Sequence, residues 1–365
     1  MVRLVQHDGG LRGYVAQGLS ILVVAGVYLA AAELGLLQEL VRGQVTPLWP
    51  PTGIALACLL LMGVRAWPGI TLGAFLVNAT LGPSMLAVLA ISVGNTIGPL
   101  CSYFLLASVG FRSSLNRLRD ALALVFLGAL AGMLVSATLG SGVLVLSGAL
   151  QPAEFWPTWS VWWTGDAMGV LVITPLLLVL HKGLRLPREV HASWRTQALS
   201  LRESLRLPRR ALVGRWAEAA ALVVLTFLVT LAATTTSTNM LFLVFPLLIW
   251  AALRFQLPGA TACVLIVSTV AIVNAARGIG PFAHHDLFVN MVILQAFNGS
   301  AALTALLLAA IIAERNHAHH NLEQICARLV EMAVRLERGQ GVKPWPSAPS
   351  EDLPPARHED SELWR

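Results

Sequence analysis

Ser160-Val161-Trp162-Trp163-Thr164-Gly165-Asp166-Ala167-Met168-Gly169-Val170-Leu171-Val172-Ile173-Thr174-Pro175-Leu176-Leu177-Leu178-Val179-Leu180 carries one charged side chain, Asp166, in an otherwise apolar run. A run of this length is what a helix needs to cross a hydrocarbon core of roughly 30 Å. A carboxylate inside it costs at least a few kcal/mol and marks a functional position by default. The rest of the chain has the same character. Its 365 residues are 56% hydrophobic and only 12% charged, against about 25% charged in soluble domains, and the mean hydropathy is +0.71. Apolar runs at about 18–38, 49–64, 66–81, 84–107, 120–148, 160–180, 216–236, 239–254, 257–276 and 288–313 predict spans. The expected fold is an all-α integral membrane bundle of about 8–10 helices.

Ten spans put both termini on one side, and the charges say which. Of 25 Lys and Arg residues, 23 fall on the side of the termini; only Arg42 and Arg277 face the other way. Nine of them lie in the segment 181–215. Lys and Arg concentrate in cytoplasmic loops, so both termini are expected in the cytoplasm. The net charge of +6 is carried by loops that face anionic lipid, which makes membrane lipid a partner and excludes nucleic acid. Cys58, Cys101 and Cys263 lie in apolar runs and Cys326 in the tail, with no CxxC pair, so they read as small buried hydrophobes.

Two pairs of runs contain short members, 49–64/66–81 and 239–254/257–276. Sixteen residues reach only about 24 Å. The pairs turn at similar sequences, Arg65-Ala66-Trp67-Pro68-Gly69 and Arg254-Phe255-Gln256-Leu257-Pro258-Gly259, and begin at Trp49-Pro50 and Phe245-Pro246. A faint internal repeat accounts for this; the pairs read as short full spans, with re-entrant hairpins as the alternative. The domain plan is a cytoplasmic N-terminus 1–17, a membrane domain 18–313 with the basic linker 181–215, a linker helix 314–339 and a disordered tail 340–365. In the linker helix, Leu322, Ile325, Leu329, Met332 and Leu336 repeat with 3-4-3-4 spacing, the seam of a coiled coil.

Asp166 is the acidic residue placed well inside a span. Gly165 and Gly169 beside it permit close helix approach. Asn78, Asn95, Thr96, Asn274, Asn290, Gln295 and Asn298 should point inward, because polar side chains in lipid find partners between helices. Candidates for sensing a ligand or signal are Asp166, Trp163, Trp162, Asn95, Asn78, Gln295, Arg254 and Trp49; Arg277, Arg65 or Arg254 could partner Asp166. Tryptophans 49, 156, 159, 162 and 163 are expected as an aromatic belt at one interface. His284-His285-Asp286 and His317, His319 and His320 have no diagnostic metal spacing, so no metal and no cofactor are expected. Nucleophile elbow, P-loop, dinucleotide-binding and cyclase signatures are missing, and no enzyme activity is expected.

Taken together, these stretches resemble the membrane-associated sensor domain of bacteria, type one. They are Leu48-Trp49-Pro50-Pro51-Thr52-Gly53, Trp67-Pro68-Gly69 with Leu72-Gly73-Ala74-Phe75, Gly94-Asn95-Thr96, Trp162 to Gly169, Pro175-Leu176-Leu177-Leu178, Phe245-Pro246 through Trp250 to Arg254-Phe255, Gly278-Ile279-Gly280-Pro281-Phe282 and Ala313-Glu314-Arg315. The motif positions taken as structural are Pro50, Gly53, Gly165, Gly169, Pro246, Gly280 and Pro281. One departure is Ile97-Gly98-Pro99, where the family often has an acidic residue soon after Gly-Asn-Thr. The resemblance implies a sensory input module of the bacterial inner membrane. Such modules usually precede a cytoplasmic output domain, and the tail after 313 is too short for a kinase or cyclase. The expectation is therefore a signal relayed through the last helix to a homodimer partner or a separate cytoplasmic signalling protein. A transporter or permease with a polar site around Asp166 is the alternative; an intramembrane enzyme would need a nucleophile and base on facing helices, for which Asp166 and buried cysteines are the available groups.

Overall fold

The computed structural model describes residues 11–36, 46–204, 209–236, 240–283 and 287–337. All regular structure in these residues is helical. The order is α1 (Leu11–Leu36), α2 (Pro50–Met62), α3 (Trp67–Leu81), α4 (Met85–Ser108), α5 (Leu118–Ala123), a π-helical segment Leu124–Ala131, α6 (Gly132–Leu146), α7 (Phe155–Ser204), α8 (Arg209–Thr235), α9 (Phe245–Ala276) and α10 (Leu287–Glu337). Seven stretches among them are long and apolar enough to cross a membrane. The chain is thus a polytopic all-α membrane protein.

Both short pairs are broken by a turn, and the first begins inside the bundle. α2 has 13 residues, about 20 Å at 1.5 Å per residue. Its first turn starts where the Trp49 N–H donates to the Gly165 carbonyl at 3.0 Å. Gly165 lies ten residues into α7, about 15 Å from its start. Residues Thr46, Pro47 and Leu48 therefore descend into the bundle unwound, and all three are buried. Trp49 does not belong to the aromatic belt expected for it. Prolines at the first two helical positions make this start workable, because they have no N–H to leave unpaired.

α9 is broken as well. Its backbone leaves helical geometry at Gln256 (φ 54°, ψ −145°), within the turn sequence singled out above. The turns Leu241–Val244 before it and Gly280–Phe282 after it both pack on α8. The chain therefore reverses at Gln256, and the leg before it runs from the turn Leu241–Val244 to Arg254, which meets Glu218 near the start of α8. Both hairpins follow a long helix, α1 or α8, and precede another, α4 or α10. The first leg of the earlier pair, residues 50–62, is corrected from a full span to a half-depth helix.

Two further expectations change. The segment 181–215 is not a loop: α7 continues to Ser204 and α8 starts at Arg209, while 205–208 lie outside the described residues. Its Arg, Leu, Ala and Glu content carries good helix propensity. The tail helix is present as the continuation of α10 to Glu337. Leu322, Ile325 and Leu329 are exposed on it; the side chain of Leu336 and the segment 340–365 lie outside the described residues.

Side-chain packing centres on α2, α4, α6 and α7. A large apolar cluster runs through α4, the π-helical segment, α7, α9 and α10, and a smaller one joins α1, α2 and α3 around Tyr28, Leu59 and Ile70. Where these clusters meet lies the polar group around Asp166.

Candidate functional site

Glycine decides how closely α2 and α7 approach. A side chain at Gly165 would overlap the Thr46 carbonyl oxygen, one at Gly169 the Trp49 carbonyl oxygen, and one at Gly53 the Gly169 carbonyl oxygen. The two backbones are in direct contact, as small-residue seams allow in membranes. The Thr174 hydroxyl adds a bond across the seam, donating to the Gly53 carbonyl at 2.9 Å. Gln295 of α10 donates to the Pro47 carbonyl at 2.8 Å, which satisfies one of the unwound carbonyls that lipid could not.

This close approach brings Asp166 to the first turn of α2. The Thr52 hydroxyl donates to Asp166 Oδ1 at 2.5 Å, a short bond of the charge-assisted kind. The positive end of the α2 dipole faces the same carboxylate. Asp166 is 1% exposed, and its Oδ2 has no hydrogen-bond partner among the described residues. Tyr28 of α1, Asn95 of α4, Ser136 of α6 and Trp162 of α7 surround it. The Tyr28 hydroxyl is buried beside Trp49 and Asn95, with no partner at full hydrogen-bond geometry among the described residues. Ser136 donates to Asn95 Oδ1 at 3.3 Å. Asn95 lies ten residues from the start of α4 and Ser136 ten from the end of α6, about 15 Å in each case. The cluster therefore sits about halfway through a core of roughly 30 Å.

A cavity of about 40 Å³ opens beside the carboxylate, lined by Thr46, Trp49, Val77, Asn78, Leu81, Asn95, Trp162 and Asp166. Five of the eight sensing candidates, Trp49, Asn78, Asn95, Trp162 and Asp166, meet there. Asn78 spends its Nδ2 on the Ala74 carbonyl at 2.8 Å, which leaves its carbonyl oxygen available. Gln295 is one step removed, bonded to Pro47 beside Thr46. Trp163 faces elsewhere: its Nε1 donates to the Leu130 carbonyl at 2.8 Å, and its ring stacks on Trp159 at 5.6 Å. Arg254 is outside the cluster, 51% exposed and bonded to Glu218 at 2.8 Å. Neither Arg254, Arg65 nor Arg277 pairs with Asp166.

The contact of Trp163 matters because Leu130 belongs to the π-helical segment. Wider winding frees carbonyls for neighbouring side chains, and Gly128 gives its own to the Ser102 hydroxyl at 2.7 Å. Such segments mark functional positions in helices. The same helix begins at Leu118, whose N–H donates to Glu314 Oε2 of α10 at 3.1 Å. Two participants escaped sequence reasoning. Tyr28 is a single aromatic in an apolar run and gives no signal there. Asp120 is buried at the start of α5 and accepts from the Arg112 N–H at 3.1 Å; it stands at the edge of an expected span and belongs to no motif.

A half-depth helix start, a backbone-contact glycine seam and a lone buried carboxylate define a membrane protein organised around an internal polar site. The model of the MASE1 family matches residues 19–316. The chain belongs to this family of membrane sensory domains and is a multi-pass integral membrane protein. No curated protein and no solved structure matches it.

Proposed function

We propose that this chain is a signal-input module of the bacterial inner membrane, with both termini in the cytoplasm. The state of the Asp166 site sets how α2 packs on α7, and that packing is read out at the far end of the bundle. The observation that carries the reading is Asp166 itself: a mid-membrane carboxylate with one bonded oxygen, no cationic partner among the described residues, and a cavity beside it. A group held at such cost is retained for what it does when its surroundings change.

Two contacts support a relay. Trp163, one turn before Asp166 on α7, holds the π-helical segment through Leu130. The helix containing that segment starts at Leu118, which is capped by Glu314 near the exit of α10. A shift of α7 therefore loads a structure that also holds α10. The tail helix then engages a second copy or a cytoplasmic signalling protein through Leu322, Ile325 and Leu329, which are exposed. The reading needs only two packings with different affinity for the signal, and no catalytic step, so the chain acts without enzyme activity.

Cys326 provides the test, since it is a free, exposed cysteine next to Ile325 on the tail helix. In native membranes, oxidative cross-linking through Cys326 should change at least twofold in rate or yield in Asp166→Asn. Equal cross-linking in both proteins would refute the relay. The transporter reading draws on the unwound, half-depth α2 start, which suits alternating access. A cavity of about 40 Å³ argues against an organic substrate. Saturable uptake into proteoliposomes that disappears in Asp166→Asn would establish the transporter.

A further inference from the structure

We infer that the cavity beside Asp166 binds one small monovalent cation of the sodium class; this deepens the sensor reading and rests on it only for its consequence. Size comes first. A single water takes roughly 10–15 Å³ of such volume, so about 40 Å³ holds an ion with one or two waters. No organic molecule fits.

Charge comes second. Asp166 is the only carboxylic acid lining the cavity, and no basic side chain lines it. Its surroundings are drawn from every helix that packs on it: Tyr28 from α1, Thr52 from α2, Asn78 from α3, Asn95 from α4, Ser136 from α6 and Trp162 on α7 itself. None of these supplies a positive charge. The Thr52 hydroxyl and the α2 dipole offset part of the negative charge, and Oδ2 remains unbonded at 1% exposure. One positive charge completes the site. A divalent ion would leave an excess positive charge at mid-membrane, which costs as much as the carboxylate did.

Donor chemistry comes third. Thr46, Asn78, Asn95 and Asp166 offer oxygens, with neither thiolate nor imidazole among the lining groups. Oxygen-only sets suit hard cations rather than zinc or copper. The Asn78 nitrogen is engaged with Ala74, so its oxygen is the free end of that amide. The indoles of Trp49 and Trp162 close the walls.

The experiment is 22Na+ binding to the purified full chain in zwitterionic detergent at constant ionic strength, with N-methyl-D-glucamine as the replacing cation. Saturable binding near one ion per chain is expected. It should disappear in Asp166→Asn and weaken at least tenfold in Asn95→Leu, which keeps the carboxylate and guards against a misfolded Asp166 variant. Protons should compete, so binding should weaken as pH falls. No saturable sodium binding at pH 7 to 9, or equal binding in wild type and Asp166→Asn, overturns the inference. Sodium binding without any effect on cross-linking leaves the site standing and refutes the sensor reading; absent sodium binding with altered cross-linking in Asp166→Asn does the reverse.

Discussion

Gly169→Ala tests whether the α2–α7 seam builds the Asp166 site. The added methyl would overlap the Trp49 carbonyl oxygen and crowd its carbon. Interiors packed to crystal density offer no slack, so the first turn of α2 must retreat by about 1 Å. Overpacking of this kind costs about 1–3 kcal/mol. The retreat also stretches the bond from the Trp49 N–H to the Gly165 carbonyl, now 3.0 Å. A buried donor left without its partner costs about 1–3 kcal/mol more. The expected loss is about 2–6 kcal/mol, the sum of those two ranges. Gly142 on α6 is the matched control, because nothing lies within 4 Å of a methyl placed there. Alanine at that position should gain about 0.5–1 kcal/mol from helix propensity. Thermal unfolding of the two purified variants in micelles should move Tm in opposite directions, down by several degrees for Gly169→Ala. A Gly169→Ala protein as stable as wild type would refute backbone contact between the helices.

Thr52→Val removes the donor to Asp166 and should lower stability by about 1–3 kcal/mol, whereas Thr52→Ser should keep most of it; equal Tm values for both would count against the bond at 2.5 Å. Trp163→Phe keeps the ring but loses the bond to the Leu130 carbonyl. It should cost about 1 kcal/mol and speed hydrogen exchange across residues 124–131 more than across α4. Glu314→Ala removes the carboxylate at the start of α5, a loss of about 0.5–2 kcal/mol, read as faster exchange at Leu118. Maleimide should label Cys326 quickly and Cys263, which is buried, only after unfolding.

Helix positions and the breaks between them could be read from composition and proline. Trp49-Pro50 and Pro258-Gly259 marked the hairpins because proline and glycine disturb a helix wherever they fall. Asp166 was visible because one charge in an apolar run stands out. What the sequence could not carry was depth. A short apolar run looks alike whether it starts at the interface or 15 Å below it, and only the contact of Trp49 with Gly165 distinguishes them. Partners distant in sequence were equally hidden: Thr52 and Asp166 are 114 residues apart. Arg254 was drawn towards the site by its motif, yet its charge is answered by Glu218 on α8, which no local pattern could indicate.

The wide winding of Leu124–Ala131 carries a consequence for how this chain tolerates change in length. Eight residues wound at the looser pitch hold about one residue more than the same rise of α-helix requires. Deleting one residue there would let the segment close into ordinary winding while Leu118–Ala123 and Gly132–Leu146 keep their faces. The same deletion between Gly132 and Ser136 would rotate every later side chain of that helix by about 100°, and Ser136 would turn away from Asn95.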